Sequence, residues 1–149
     1  MFLSVHATVA ITSIEYIQNP ILLFVINFFL HYIIDAIPHG DGNNIKGFKN
    51  PILNLWILSS LDLFFVIILI YLSHSNLKYD YRLLIPAISG AILPDYLWGL
   101  YKITNLRILK WADNLNELSH KIIKYKPHYL IEYGLQFIPI IICYIILKF

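Results

Sequence analysis

An all-α integral membrane bundle of about five helices, the first of them short, is the fold that this sequence predicts. Three observations carry the prediction. Of 149 residues, 58% are hydrophobic and only 13% are charged, whereas a typical soluble domain is about 25% charged. Mean hydropathy is +0.66. The apolar residues fall in long runs between short polar breaks, and a helix satisfies its own backbone inside hydrocarbon. The expected organisation is a single transmembrane helical domain over 1–149.

Each segment follows from its local signals. The first, about Phe2 to Ile17, is short, because a full crossing takes roughly 20 residues. Asn19-Pro20 breaks the run, and Pro20 suits a first helical turn. The second segment runs from about Ile21 to Ile37. Gly40, Gly42, Asn43 and Asn44 then form a loop. The third, about Ile52 to Leu72, is the clearest span and is interrupted only by Asp62. The fourth, about Leu83 to Leu100, contains Gly90, which allows close approach of a neighbouring helix, and Pro94-Asp95. Leu106 to Ile123 reads as an amphipathic helix on the membrane surface. The fifth span covers about Tyr129 to Leu147. No cleavable signal peptide is expected, since the start lacks a basic region and its first apolar stretch already holds His6.

Loop charge orients the bundle. If every segment crosses, one side carries Lys46, Lys49, Lys102, Arg107, Lys110, Lys121, Lys124 and Lys126. The other carries Lys78, Arg82 and Lys148. The excess marks the first side as cytoplasmic, which puts the N-terminus inside in a multi-pass protein of the cell membrane. The net charge of +2 is too small to suggest a nucleic-acid partner. The lipid bilayer is the expected partner, and the oligomeric state is left open.

The same topology brings the polar residues to one depth. His31 and Asp35 are four apart and share a helix face. His39 and Asp41 follow just beyond Pro38. His6 starts the first segment, and Asp95 lies near the cytoplasmic end of the fourth. Imidazole and carboxylate together are an ordinary ligand set for zinc, manganese or iron. His6, His31, Asp35 and Asp95 are therefore the candidate metal ligands, and His39 is a further ligand or a proton donor. Asp62 sits in the longest span, where an unpaired charge costs about 3 kcal/mol. It must pair, protonate or line a cavity, and it is the candidate base or ligand-orienting carboxylate. The structural alternative is that these His–Asp pairs only lock helices together.

Other polar residues read as less informative. Glu15, His74, His128 and Glu132 fit interfacial positions, and His120 fits a solvated surface helix. Trp56, Trp98 and Trp111 fit an aromatic belt. Cys143 is the sole cysteine, so no disulfide framework or thiolate zinc site exists within one chain. The sequence has no Gly-rich phosphate loop and no nucleophile elbow. Hydrolysis by a metal-activated water needs neither.

Three motifs together carry a family resemblance: His6-Ala7-Thr8, His31-x3-Asp35-x2-Pro38-His39, and Gly90-Ala91-Ile92-Leu93-Pro94-Asp95. They resemble the small membrane-bound metal-dependent hydrolase family. The second motif is also distantly similar to the His-x3-Asp pattern of zinc-dependent phospholipase C and P1 nuclease. The resemblance covers the first four segments and lacks the His-Arg-Gly…Thr-His-Ser run common in the hydrolase family. It implies zinc as the metal and a phosphoester or lipid as substrate. Two non-catalytic expectations stand beside it. One is a small transporter or metal permease, and the other is a structural membrane protein.

Overall fold

The computed structural model describes residues 2–39, 57, 59–68, 71, 80–123, 131, 134–135 and 137–147. Among these residues all regular structure is helical. The helices are α1 (Leu3–Ser13), α2 (Pro20–Asp35), α3 (Ser59–Ile68), α4 (Leu84–Thr104), α5 (Lys110–Ile122) and α6 (Phe137–Leu147). Short 3-10 turns, Tyr81–Leu83 and Arg107–Leu109, lead into α4 and α5. The all-α expectation therefore holds for the described chain. Asp41, the Gly40–Asn44 loop, His74, His128, Glu132 and the loop lysines Lys46, Lys49, Lys78, Lys124, Lys126 and Lys148 lie outside it.

The helix boundaries have local causes. Asn19 caps α2, its side chain accepting from the Ile21 and Leu22 amides at 3.0 Å each, and Pro20 takes the first turn. The first helix stops at Ser13, short of the expected Ile17. Ile14, Glu15 and Tyr16 bond three residues back instead of four, and the Ser13 hydroxyl takes the Ala10 carbonyl at 2.6 Å. The fourth helix runs past the expected Leu100 to Thr104. There Asn105 turns left-handed at φ 53°, and its amide closes on the Tyr101 carbonyl at 2.8 Å.

Small residues set the packing. On α4 the buried face consists of Leu84, Ala87, Ile88, Gly90, Ala91 and Pro94. A Cβ at Gly90 would collide with the Phe24 carbonyl of α2, so the α2–α4 approach requires glycine there. Ala7, Ala10 and Ile11 of α1 and Ile14 just beyond it join Leu23, Val66, Ala87 and Ala91 in one core. The sixth helix packs against α1, and α5 packs against α2 and α4.

The distribution of polarity on α2 is reversed from that of a water-facing helix. Its buried stripe is Leu23, Asn27, His31, Ile34 and Asp35. Its exposed face carries Ile21, Leu22, Val25, Ile26, Phe29 and Ile33. Among the described residues, Tyr81–Thr104 is the one stretch long and apolar enough to cross a membrane, by length and composition. Leu3–Ser13, Pro20–Asp35 and Ser59–Ile68 are shorter apolar helices.

Candidate metal centre

His31 and Asp35 stack on one face of α2 at a four-residue step, and His39 follows beyond the helix end, after Pro38. The first helix brings His6 against them, and α4 brings Asp95. His6 Nε2 lies 3.1 Å from Asp35 Oδ1. His31 Nε2 lies 3.3 Å from Asp35 Oδ2 and 3.6 Å from Asp95 Oδ1. His39 Nε2 lies 3.9 Å from Asp35 Oδ1. The His6 and His31 rings stack with centroids 4.1 Å apart. All four residues predicted as ligands thus come together, and His39 joins them.

The site is nearly dry on its inner side. His6 and His31 are each 1% exposed and Asp35 is 2% exposed. The Asp95 side chain keeps 25% of its surface accessible, so the cluster opens on that side.

Hydrogen bonding fixes the direction of the imidazoles. His31 Nδ1 lies 2.7 Å from the Ala91 carbonyl. A carbonyl only accepts, so Nδ1 carries the hydrogen and Nε2 presents its lone pair in the neutral ring. That lone pair faces two carboxylates and makes no hydrogen bond among the described residues. Three acceptors converging with two of them out of water favour a positive charge between them, supplied by a proton or a cation. A histidine tied to a backbone carbonyl through its other nitrogen is the usual arrangement of a metal ligand. His39 repeats it, with Nδ1 donating to the Ile37 carbonyl at 2.7 Å. His6 Nδ1 is a second buried nitrogen with no hydrogen-bond partner among the described residues. One donor atom each from His6, His31 and Asp95 lie within 4.8 Å of one another. The donor set therefore fits a divalent metal in chemistry and in spacing.

The backbone explains why Ala91 is within reach. It follows Gly90, where the backbone of α4 closely approaches that of α2. Pro94 lacks an N–H, so the Gly90 carbonyl loses its helical partner, and the turn that carries Asp95 is loosened.

Asp62 is buried on α3, and its Oδ2 accepts from the Ser4 amide at 3.1 Å. Phe2, the N-cap of α1, makes no side-chain cap bond, and this carboxylate from another helix takes the Ser4 amide at the positive end of α1. His6 lies two residues further along the same helix.

Two neighbours escaped the sequence reading. His120 on α5 places its ring 4.9 Å from that of His39, centroid to centroid. Tyr32 meets His31 edge-on with centroids 5.3 Å apart, and its buried hydroxyl has no hydrogen-bond partner among the described residues. No local signal marks Tyr32, which resembles any other aromatic in an apolar helix. His120 becomes legible only once α5 is known to dock beside α2.

No protein-family model matches this chain, and no curated protein or solved structure shows significant similarity to it.

Proposed function

We propose that this protein is a membrane-embedded, metal-dependent hydrolase acting on a phosphoester or lipid substrate. The observation that carries the reading is the convergence of His6, His31, Asp35 and Asp95, with His31 Nε2 held toward two carboxylates by the bond from Nδ1 to Ala91. His6, His31, Asp35 and Asp95 would hold the metal. Zinc leads through the family resemblance, with manganese or iron compatible with the same donors. A bound divalent ion supplies an acidified water and polarises a phosphoryl or acyl oxygen.

The chain's own groups supply the rest. Asp35 balances charge and orients both stacked histidines. Asp95, a quarter exposed, lies where substrate would approach. His39 is placed for a ligand's role or for giving a proton to the leaving oxygen. Asp62 acts on His6 through the start of α1, the orienting role expected of it.

The membrane setting is part of the proposal. A face of Ile21, Leu22, Val25, Ile26, Phe29 and Ile33 opposite a stripe holding Asn27, His31 and Asp35 suits lipid outside and a polar centre inside. The faces of α3 and α6 are similar, with Leu61, Phe64, Phe65 and Ile67, and with Ile138, Ile141, Ile142 and Ile145, exposed.

The test uses purified full-length protein in detergent. Zinc content and hydrolysis of bis-p-nitrophenyl phosphate and a fluorogenic phospholipid are measured for wild type, His31→Ala and Asp35→Ala. The wild type should bind zinc and hydrolyse at least one substrate. Each variant should remain in the membrane fraction and lose both properties. Full zinc occupancy in His31→Ala would remove it as a ligand.

One observation favours a second reading, a permease. Asn27, one helical turn from His31, is buried and donates to the Ser13 hydroxyl at 2.8 Å, which extends polar groups away from the cluster between α1 and α2. Zinc flux into proteoliposomes without hydrolysis would select it.

A further inference from the structure

The packing of α2 against α4 leaves a groove of about 500 Å3 at the starts of both helices, opening outward. One wall is Pro20, Ile21 and Phe24 of α2. The other runs from Arg82, in the 3-10 turn, past Ile85 and Pro86 to Ser89, a rise of about 10 Å. The walls are apolar for identifiable reasons. Pro20 and Pro86 stand in the first turns of their helices, where other residues would present an unbonded amide. The Ser89 hydroxyl donates to the Ile85 carbonyl at 2.6 Å, so its hydrogen is already engaged. Ile21 and Ile85 are each 75% exposed, which makes the lips apolar too. Gly90 brings α4 against the Phe24 carbonyl and so holds the two walls at a fixed spacing.

Arg82 is the one charged group on these walls. Asp80 caps the turn by accepting from the Arg82 amide at 2.9 Å. The Arg82 guanidinium has no ion pair among the described residues. A planar cation at the end of an apolar groove matches the two parts of a phospholipid. The guanidinium can hold the phosphate through paired hydrogen bonds, and the groove can hold a chain. We propose that this groove binds one anionic phospholipid, its phosphate on Arg82 and an acyl chain laid between α2 and α4 against Ile21, Phe24 and Ile85. The proposal rests on the membrane setting of the preceding reading and on neither its metal nor its chemistry. The orientation expected from loop charge puts Arg82 at headgroup level on the non-cytoplasmic side, and both helices run from there into hydrocarbon. The site is separate from the metal cluster, because His31 lies about 10 Å further along α2 than Phe24. A zwitterionic headgroup brings its own cation to the phosphate and competes with Arg82, so an anionic one is preferred.

The experiment titrates purified full-length protein in detergent with dioleoyl phosphatidylglycerol and counts bound lipid by native mass spectrometry. Wild type should hold one lipid per chain, and dioleoyl phosphatidylcholine should bind about tenfold more weakly. Arg82→Gln should weaken phosphatidylglycerol about tenfold, the usual scale for a lost charged hydrogen bond, while Arg82→Lys, which keeps the cation, should lose less. Ser89→Trp places an indole in the groove and should hold no lipid. Phosphatidylglycerol should raise the melting temperature of wild type and leave that of Ser89→Trp unchanged. Both positions lie on the outer side of the bundle, and a circular dichroism spectrum of each variant checks the fold. No lipid on wild type, full lipid on Ser89→Trp, or equal affinity in wild type and Arg82→Gln overturns the proposal. Displacement of the lipid by millimolar glycerol 1-phosphate would also overturn it, since the site would then read phosphate without a chain. Zinc bound and substrate hydrolysed by a protein that holds no phosphatidylglycerol would refute the groove and leave the hydrolase standing. Phosphatidylglycerol bound by a protein that takes up no zinc would do the reverse.

Discussion

Asp62 separates two roles that a buried carboxylate can play. Its oxygen accepts from the Ser4 amide at 3.1 Å, so its first effect is on the start of α1. Asp62→Ala should destabilise the protein by about 1 kcal/mol, the usual value of a helix cap, and should weaken zinc binding through His6. Asp62→Asn keeps an acceptor oxygen and should retain zinc and most of the stability, as a thermal melt and a zinc titration would show. Equal loss of turnover in both variants, with zinc retained in both, would instead make Asp62 a base. At this scale the sequence is explicit about some residues and silent on others. His31 and Asp35 declare a common face by their spacing, and no neighbour in sequence is needed to see it. The Ser4–Asp62 contact joins α1 to α3, and no periodicity predicts which amide a carboxylate on a distant helix will meet.

The α2–α4 pair positions the centre, and Gly90 governs the pair. A methyl group there would meet the Phe24 carbonyl, so Gly90→Ala should force the helices apart at a cost of about 1–3 kcal/mol. The bond from His31 to Ala91 lies one residue away and should lengthen with them. The expected outcome is a lower melting temperature together with weaker zinc binding, and a drop in one without the other would show that the two are not linked. Asn19→Ala provides a control at the far end of α2. It should cost about 1 kcal/mol by removing the cap, while zinc affinity stays at the wild-type value. Both positions were legible as local signals, Asn19-Pro20 as a helix start and Gly90 as a point of close approach. The extent of α4 was less so, because its end at Thr104 depends on the left-handed Asn105 rather than on an apolar boundary.

At the scale of the whole molecule, the all-helical character of the described residues was legible, because apolar runs of helical length dominate the chain. The docking of α5 was not. Its alternating polar and apolar residues foretell a surface helix but not the surface it covers, and His120 was missed for that reason. The proposed multi-pass arrangement predicts that the protein resists extraction from membranes by alkaline carbonate. Reporter fusions at Phe149 and within the Gly40–Asn50 loop should report opposite sides, the loop cytoplasmic. A shared side would mean that one segment fails to cross, and the short α1 is the first to suspect. The order of His31, Asp35 and His39 along the chain also has a consequence for biosynthesis. These donors and His6 leave the ribosome before Asp95 is made, and at ordinary translation rates the interval is roughly 3–11 s. A partly built donor set exists throughout that time without the carboxylate that closes it. The ion captured first should then reflect what the cell offers during synthesis as much as final affinity. Protein from zinc-rich and manganese-rich cultures should carry different ions in equal amounts, and identical zinc content from both would show that the finished centre alone makes the choice.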